Sequence, residues 1–354
     1  MMKAYRQCAA RCMAWAALVL ALAAAQAGES GNADAFPAYQ PQQQVSGLIR
    51  TWGHGSRQQD FIGALVRSWQ DGFAKHQAGI RFEATLRGNG TAIGGLYTGA
   101  SDIALMERPP LAIELDGYHP VFGHDPFEVS VATGSLDVAD HNFAPVVFVH
   151  KDNPISKLTL KELDAVFGAD HRRGPRNVRT WGELGLKGEW ADAPINIYIF
   201  GITHDVSQFF ERAVMAGSQK WAGNLREFSD LPAPKGNVGE AGRQVTDALA
   251  KDRYGIALSG LLYRNAQVKP VALAALDGGP FYQADRETVR QRIYPLTRTV
   301  SVFIDRVPGR PVDPKLREYL TYILSSEGQQ AIERDGGYLP LMPDMARRER
   351  EKLQ

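Results

Sequence analysis

The stretch best suited to chemistry runs from Arg87 to Pro110, "RGNGTAIGGLYTGASDIALMERPP". Five glycines fall in its first thirteen residues, Thr91 sits inside the glycine run, and Asp102 follows it. Glycine lets backbone amides approach a ligand closely, and a helix start adds partial positive charge. Two nucleotide readings fail. A phosphate-cradling GxxxxGK[ST] loop needs a lysine that is absent, and Gly88, Gly90 and Gly94 are spaced one residue too wide for GxGxxG. Two more loops repeat the design, a small polar turn before a helical pattern. One is Gly53-His54-Gly55-Ser56, the other Gly201-Ile202-Thr203-His204-Asp205. Backbone amides with the hydroxyls of Ser56, Thr91 and Thr203 could hold an anion without any lysine. The plainer alternative is that these are only capped helix starts.

The elements around these loops alternate. "VSGLIRTW" (Val45 to Trp52) predicts a buried strand, and Phe61, Ile62, Leu65, Val66, Trp69 and Phe73 predict a helix. "IRFEATL" is a second strand, a short helix follows around Ala92 to Tyr97, and Asp102 to Met106 is a third strand. Ala144 to Asp152 and "PINIYIF" are strands, "SQFFERAVM" a helix, and "YGIALSGLLY" a strand running into a turn. Thr159 and Glu162 form a capping box. Asp313-Pro314 opens a helix, and Ser326 to Gln329 opens another that stops at Gly336-Gly337. Such alternation predicts an α/β fold, with parallel-rich sheets flanked by helices and ligands beyond the carboxyl ends of the strands.

The amino terminus sets the compartment. Lys3, Arg6 and Arg11 precede an apolar run, "MAWAALVLALAAA", and Ala25-Gln26-Ala27 satisfies the small-x-small cleavage rule. This predicts a signal peptide over residues 1–27 and a periplasmic protein with no stable membrane insertion after cleavage. A membrane anchor is the alternative, but the run is short of the roughly 20 residues a span needs. Cys8 and Cys12, the only cysteines, lie inside that segment, so the mature chain has no thiol for disulfide, catalysis or metal. Cleavage removes three of 40 Lys and Arg and none of 39 acids, leaving 37 against 39, a net −2. That excludes a broadly basic nucleic-acid binder. Residues 28–44 are polar and proline-containing, a flexible leader, and 346–354 reads as a charged, solvated tail.

Several stretches together resemble the periplasmic phosphate-binding protein family, the type II solute-binding proteins of ABC importers. They are "GNGTAIGGLYTGASDIALMERPP", "HKDNPISKLTLKELDAVFGAD", "RTWGELGL", "YGIALSGLLY" and "LTYILSSEGQQAIERDGGYLPL". They occur in the family's order and span most of Val45 to Leu341. The resemblance implies two α/β lobes with the ligand in the cleft between them. Lobe one would comprise 45–142 and 255–345, lobe two 143–254, with crossings near Asn142 and Gly255. It implies a monomer that captures phosphate or a similar oxyanion for an ABC transporter permease, with no cofactor. Ligand-binding residues would be Gly55, Ser56, Asn89, Gly90, Thr91, Asp102, Thr203, His204 and Asp205. Asp102 matches the family's ligand-facing aspartate, which accepts the proton of a protonated oxyanion and repels one that has none. Its alternative is a strand-start cap after Ser101.

The chain departs from the family in two loops: in the first, His54 stands where the family has a small residue while Ser56 keeps a hydroxyl donor, and the third differs more. Where an arginine and then Ser-Gly-Thr are expected, "YIFGITHDVSQFFER" has Phe200 or Gly201 and then Thr203-His204-Asp205. The bidentate clamp is lost there, which predicts weaker binding, and Asp205 brings a negative charge or simply caps the helix. Arg108, in "MERPP", matches the family's Ser-Arg-Pro stretch, and either Arg87 or Arg108 could supply the missing charge. Other classes find less support. There is no GxSxG elbow, and His119 and His124 flank Pro120 without an HExxH, so an enzyme is not expected. His54, His204, Asp102 and Asp205 on one cleft would suit zinc or nickel, so a metal or other small-solute receptor stays open. So does a binding-protein-like module without a transport role.

Overall fold

Apolar strands with helical patterns between them build two five-stranded sheets. The computed structural model describes residues 36–55, 62–139, 141–232 and 238–354. The expected signal peptide, residues 28–35, Ser56 and Phe61 lie outside the described residues. The first part of the chain carries β1 (Ser46–Gly53), α1 (Gly63–Ala74), β2 (Gly79–Leu86), α2 (Asn89–Tyr97), β3 (Ile103–Met106), α3 (Ala112–Phe122) and β4 (Phe127–Thr133). The middle carries β5 (Pro145–His150), β6 (Lys157–Thr159), α4 (Leu160–Phe167), β7 (Asn196–Phe200), α5 (Asp205–Ala213), β8 (Leu225–Phe228), β9 (Leu231–Pro232) and β10 (Val238–Gly239). Then come α6 (Ala241–Leu249), β11 (Gly255–Gly260), β12 (Val268–Pro270), β13 (Ala272–Ala274), α7 (Arg286–Arg290) and β14 (Thr299–Ile304). Three helices close the chain, α8 (Pro314–Ile323), α9 (Ser326–Asp335) and α10 (Pro343–Glu351).

The first sheet has the order β2-β1-β3-β14-β4 and the second β12-β5-β11-β7-β8. Each combines two parallel and two antiparallel pairings. The pairs β1–β2, β1–β3, β11–β7 and β7–β8 are parallel, and the strands returning from a distance, β14 and β5, run against their neighbours. β5 and β11 are buried along their whole length, as sheets covered by helices on both faces require. Each sheet has its own core. Trp69 and Phe73 of α1 pack with Tyr319 and Ile323 of α8 on the first, and Phe167, Phe210 and Val245 pack on the second.

Several expectations shift. The chain leaves the first sheet after Thr133 and enters the second at Pro145, across Asn142. The expected return near Gly255 comes later. β11 pairs with β5 and β7 in the second sheet, and β14, from Thr299, is the strand that rejoins the first. The apolar run alone could not say which sheet would take it. The part of the leader that is described is largely exposed but anchored at one residue. Tyr39 is buried, its hydroxyl donates to Glu318 (2.7 Å) and its amide to Glu327 (2.9 Å). The tail is a helix, not a solvated end. α10 buries Ala346, Leu353 is buried just beyond it, and Glu349 accepts the Ser130 amide (3.0 Å) on β4. Ser325, one residue earlier than expected, caps α9. Among the described residues no helix is long and apolar enough to cross a membrane.

Candidate functional site

The carboxyl ends of β1, β2 and β3 meet where α2 begins. Gly53, with φ 154°, lets β1 press on β3; a Cβ there would lie 1.9 Å from the Leu105 carbonyl oxygen. The amides of Arg87 and Gly88 both donate to Gly53 O (2.9 Å each). Gly88, with φ 113°, turns the chain into α2, and the Thr91 hydroxyl donates back to Gly88 O (2.9 Å). Gly90 is exposed at the helix start, and Gly55, with φ 147°, lies against Leu86 beside it.

Asn89 organises this corner. Its Oδ1 accepts the Glu107 amide (2.9 Å), which fixes the side-chain amide with Nδ2 facing His54 Nδ1 at 3.3 Å. Since Nδ2 can only donate, His54 Nδ1 accepts, and His54 Nε2 lies 2.9 Å from Glu107 Oε2. The other Glu107 oxygen accepts the Tyr338 hydroxyl, whose ionisation burial and the adjoining carboxylate push far above its ordinary range. Glu107 is thus a buried carboxylate with both oxygens engaged. Asn142, on the crossover between sheets, donates to Glu107 O (2.9 Å) and Thr299 O (3.1 Å), tying β3 to β14.

Two buried arginines stand beside it. Arg108 makes a bidentate pair with Glu114 (2.8 and 2.6 Å), the residue that also accepts the Leu111 amide at the start of α3. Arg298, 3% exposed, precedes β14 and reaches α5 of the other sheet. It pairs with Asp205, its guanidinium carbon lies 5.3 Å from the Phe209 ring centroid, and its Nη2 is 3.4 Å from Glu107 O. Arg108 Nε is 4.0 Å from the other Asp205 oxygen. Burial opposes the charge on Asp205, but Arg298 and then Arg108 outweigh it and hold the carboxyl below its usual range. Arg212, two turns further along α5, shares this field. Burial and Arg108 lower its proton affinity, Asp205 acts against them, and its Nη2 is buried without a hydrogen-bond partner among the described residues.

The expected site residues divide accordingly. Asn89, Gly90, Thr91, His54 and Asp205 gather here with Gly55. Ser56 lies outside the described residues, and Thr203 is exposed at the turn before α5. His204, rather than Asp205, caps α5, since its Nδ1 accepts the Val206 amide (3.1 Å) while its ring stacks on Phe200 at 4.5 Å. Burial holds its pKa below the ordinary imidazole value, so the acceptor nitrogen stays bare. Asp102 is elsewhere. It begins β3, about 16 Å of extended chain from Glu107, and it is consumed by Arg50. Its Oδ1 takes Arg50 Nη2 (3.0 Å) and its Oδ2 takes the Arg50 amide (2.8 Å) and Nε (3.2 Å). Asp102 thus stands at the amino end of β3, paired with Arg50, and the acid at the carboxyl end of that strand is Glu107. Arg87 is exposed, and Arg108 is the flanking arginine that turns inward. Arg298 carried no sequence signal, because it is brought in from 93 residues beyond Asp205. Among the described residues no three His, Cys, Asp or Glu side chains are grouped closely enough to hold a metal ion.

Comparison with known proteins agrees with this architecture. The family profile of the PBP superfamily domain matches residues 56–327. The Phosphate-binding protein PstS of Pseudomonas aeruginosa is 29% identical over 320 residues, covering 90% of this chain and 91% of that protein. The crystal structure of PstS from Borrelia burgdorferi superposes with a TM-score of 0.55 at 13% identity, covering 83% of this chain and 98% of that one. A possible phosphate binding protein from Planctomyces limnophilus superposes at 0.51 with 16% identity, over 88% and 98% of the two chains.

Proposed function

The chain belongs to the PBP superfamily, and from that premise we propose that it is a periplasmic solute-binding protein that captures an oxyanion, phosphate before others, for an ABC transporter permease. The observation that carries this reading is the convergence of Arg298 and Arg108 with the starts of α2 and α5 at the carboxyl ends of the strands, between the two sheets. Guanidinium groups match oxyanion geometry, and helix starts offer unpaired amides and partial positive charge. The relative in Pseudomonas aeruginosa, named for phosphate binding and alike over nine-tenths of this chain, points to the same ligand.

In this reading the amides of Gly55 and Gly90 and the first turn of α5 meet the oxygens of the anion, and Arg108 and Arg298 meet its charge. The arginine missing at Phe200 and Gly201 is replaced in space by these two. One lobe is built on the first sheet, the other on the second, and the anion sits between them. The signal peptide over residues 1–27 delivers the protein to the periplasm, where it acts as a monomer. Calorimetric titration of phosphate, sulfate and molybdate into the mature protein tests the reading. Phosphate is expected to bind, and Arg298→Ala to weaken it about tenfold to a hundredfold, the loss of a charged hydrogen bond contributing about 1.5–3 kcal/mol. Failure of all three anions to bind overturns it.

A further inference from the structure

We propose that Asp205 is a built-in occupant of the anion seat, so that an external oxyanion binds only by displacing its carboxylate. The inference rests on the oxyanion reading above and adds the device that sets the affinity and charge selectivity of the site. Asp205 is the first residue of α5, and its carboxylate occupies the arginines that an external anion arriving at this helix start would meet. It reaches across from the second sheet to two buried arginines anchored on the first, pairing with Arg298 and lying 4.0 Å from Arg108 Nε.

Three further observations mark the seat as built for more than this one carboxylate. Arg298 is almost wholly buried, yet among the described residues its Nε has no hydrogen-bond partner. Arg212 Nη2, on the same face of α5, is buried in the same condition. A carboxylate has two oxygens and one charge, whereas a phosphate dianion has four oxygens and two charges, enough to engage donors that Asp205 leaves unmet. The Asp205 side chain is also 37% exposed, so it has an outlet to solvent and can leave without rebuilding the core.

Two consequences follow. Removing the charge should raise anion affinity, because the fraction of molecules with an open seat multiplies the intrinsic affinity. The unliganded protein should also be held closed by the Asp205–Arg298 contact between lobes, and should open when that contact is lost.

The test compares wild type with Asp205→Asn, and with Asp205→Ser as a second variant should the first fail to fold. Calorimetric titration with inorganic phosphate is expected to show at least tenfold tighter binding in the variant. The variant should also melt lower without phosphate and gain more from its addition, since Arg298 is left uncompensated. Small-angle scattering without ligand is expected to show a larger radius of gyration in the variant. Equal or weaker phosphate binding by the variants, with wild type binding normally, overturns the displacement proposal and leaves the oxyanion reading intact. If neither form binds any oxyanion, the oxyanion reading fails. Scattering then decides the contact by itself: an expanded variant upholds Asp205 as the clasp between lobes, and an unchanged one refutes it.

Discussion

Two acids flank β3, Asp102 at its start and Glu107 at its end, and only one faces the site. Strand direction decides. In sheets of this kind ligands gather beyond the carboxyl ends of strands, so Glu107 was the better choice even from the sequence, given the third strand predicted there. Family likeness drew attention to Asp102 instead. Its environment is an ion pair with Arg50, partly open to solvent. Burial would raise its pKa, but the hydrogen bonds from Arg50 outweigh this and lower it. A carboxyl with a depressed folded pKa stabilises the protein above its unfolded value near 3.9 and loses that contribution as pH falls through the folded value. Asp102→Asn is therefore expected to cost about 1 kcal/mol at pH 7, the scale of a partly screened pair. The gap from wild type should narrow below about pH 4, and phosphate binding should stay within about twofold, a change under 0.5 kcal/mol. Denaturant titrations at pH 7 and pH 3, with calorimetry at pH 7, check all three. Glu107→Gln, by contrast, leaves one acceptor oxygen where two face Tyr338 and His54, and should disturb the site itself.

At the scale of the element, the loops were readable and their closures were not. Gly53 looked like one more turn glycine, yet its conformation and its contact with Leu105 O make it the point where β1 meets β3. Gly53→Ala forces the backbone apart where α2 begins, with an expected loss on the order of 3 kcal/mol by thermal or chemical denaturation. α5 shows the same limit. Asp and His both stand at its start, and propensity alone favours aspartate as the cap. Tertiary pairing takes Asp205 to Arg298, and His204 caps in its place. A base whose folded pKa is depressed, here by burial against the fields of Asp230 and Asp205, is protonated first in the unfolded chain. Stability should then fall as pH drops below about 6.5 toward the folded value. His204→Asn keeps an acceptor without a titration, so its melting temperature should change less between pH 7.5 and pH 5 than that of wild type. An equal change in both would locate the titration elsewhere.

At the scale of the whole molecule, the carboxyl end of the chain serves the first sheet. α10 buries Ala346, Leu353 is buried after it, and Glu349 accepts the Ser130 amide, so these three residues anchor the terminal helix to the first sheet. Deleting residues 343–354 is expected to destabilise the protein by about 3 kcal/mol, from one buried leucine and one charged hydrogen bond to the backbone. Thermal melting of the truncated chain measures it, and an unchanged midpoint would return these residues to the status of a tail. Apolar strands, capped helices and glycine-rich turns were legible in the sequence because each depends on neighbours a few residues away. The α/β class, the loop at Asn89 to Thr91 and the family likeness follow from such local signals, and the division into two lobes was implied by that likeness. The sequence by itself did not assign β11 to the second sheet, bury Tyr39 and Leu353, or bring Arg298 to Asp205 from 93 residues away. Those depend on which surfaces meet when the strands pair. The charge of the site is therefore a property of the assembled lobes, since the arginine absent from its own loop is supplied by residues that only folding brings near.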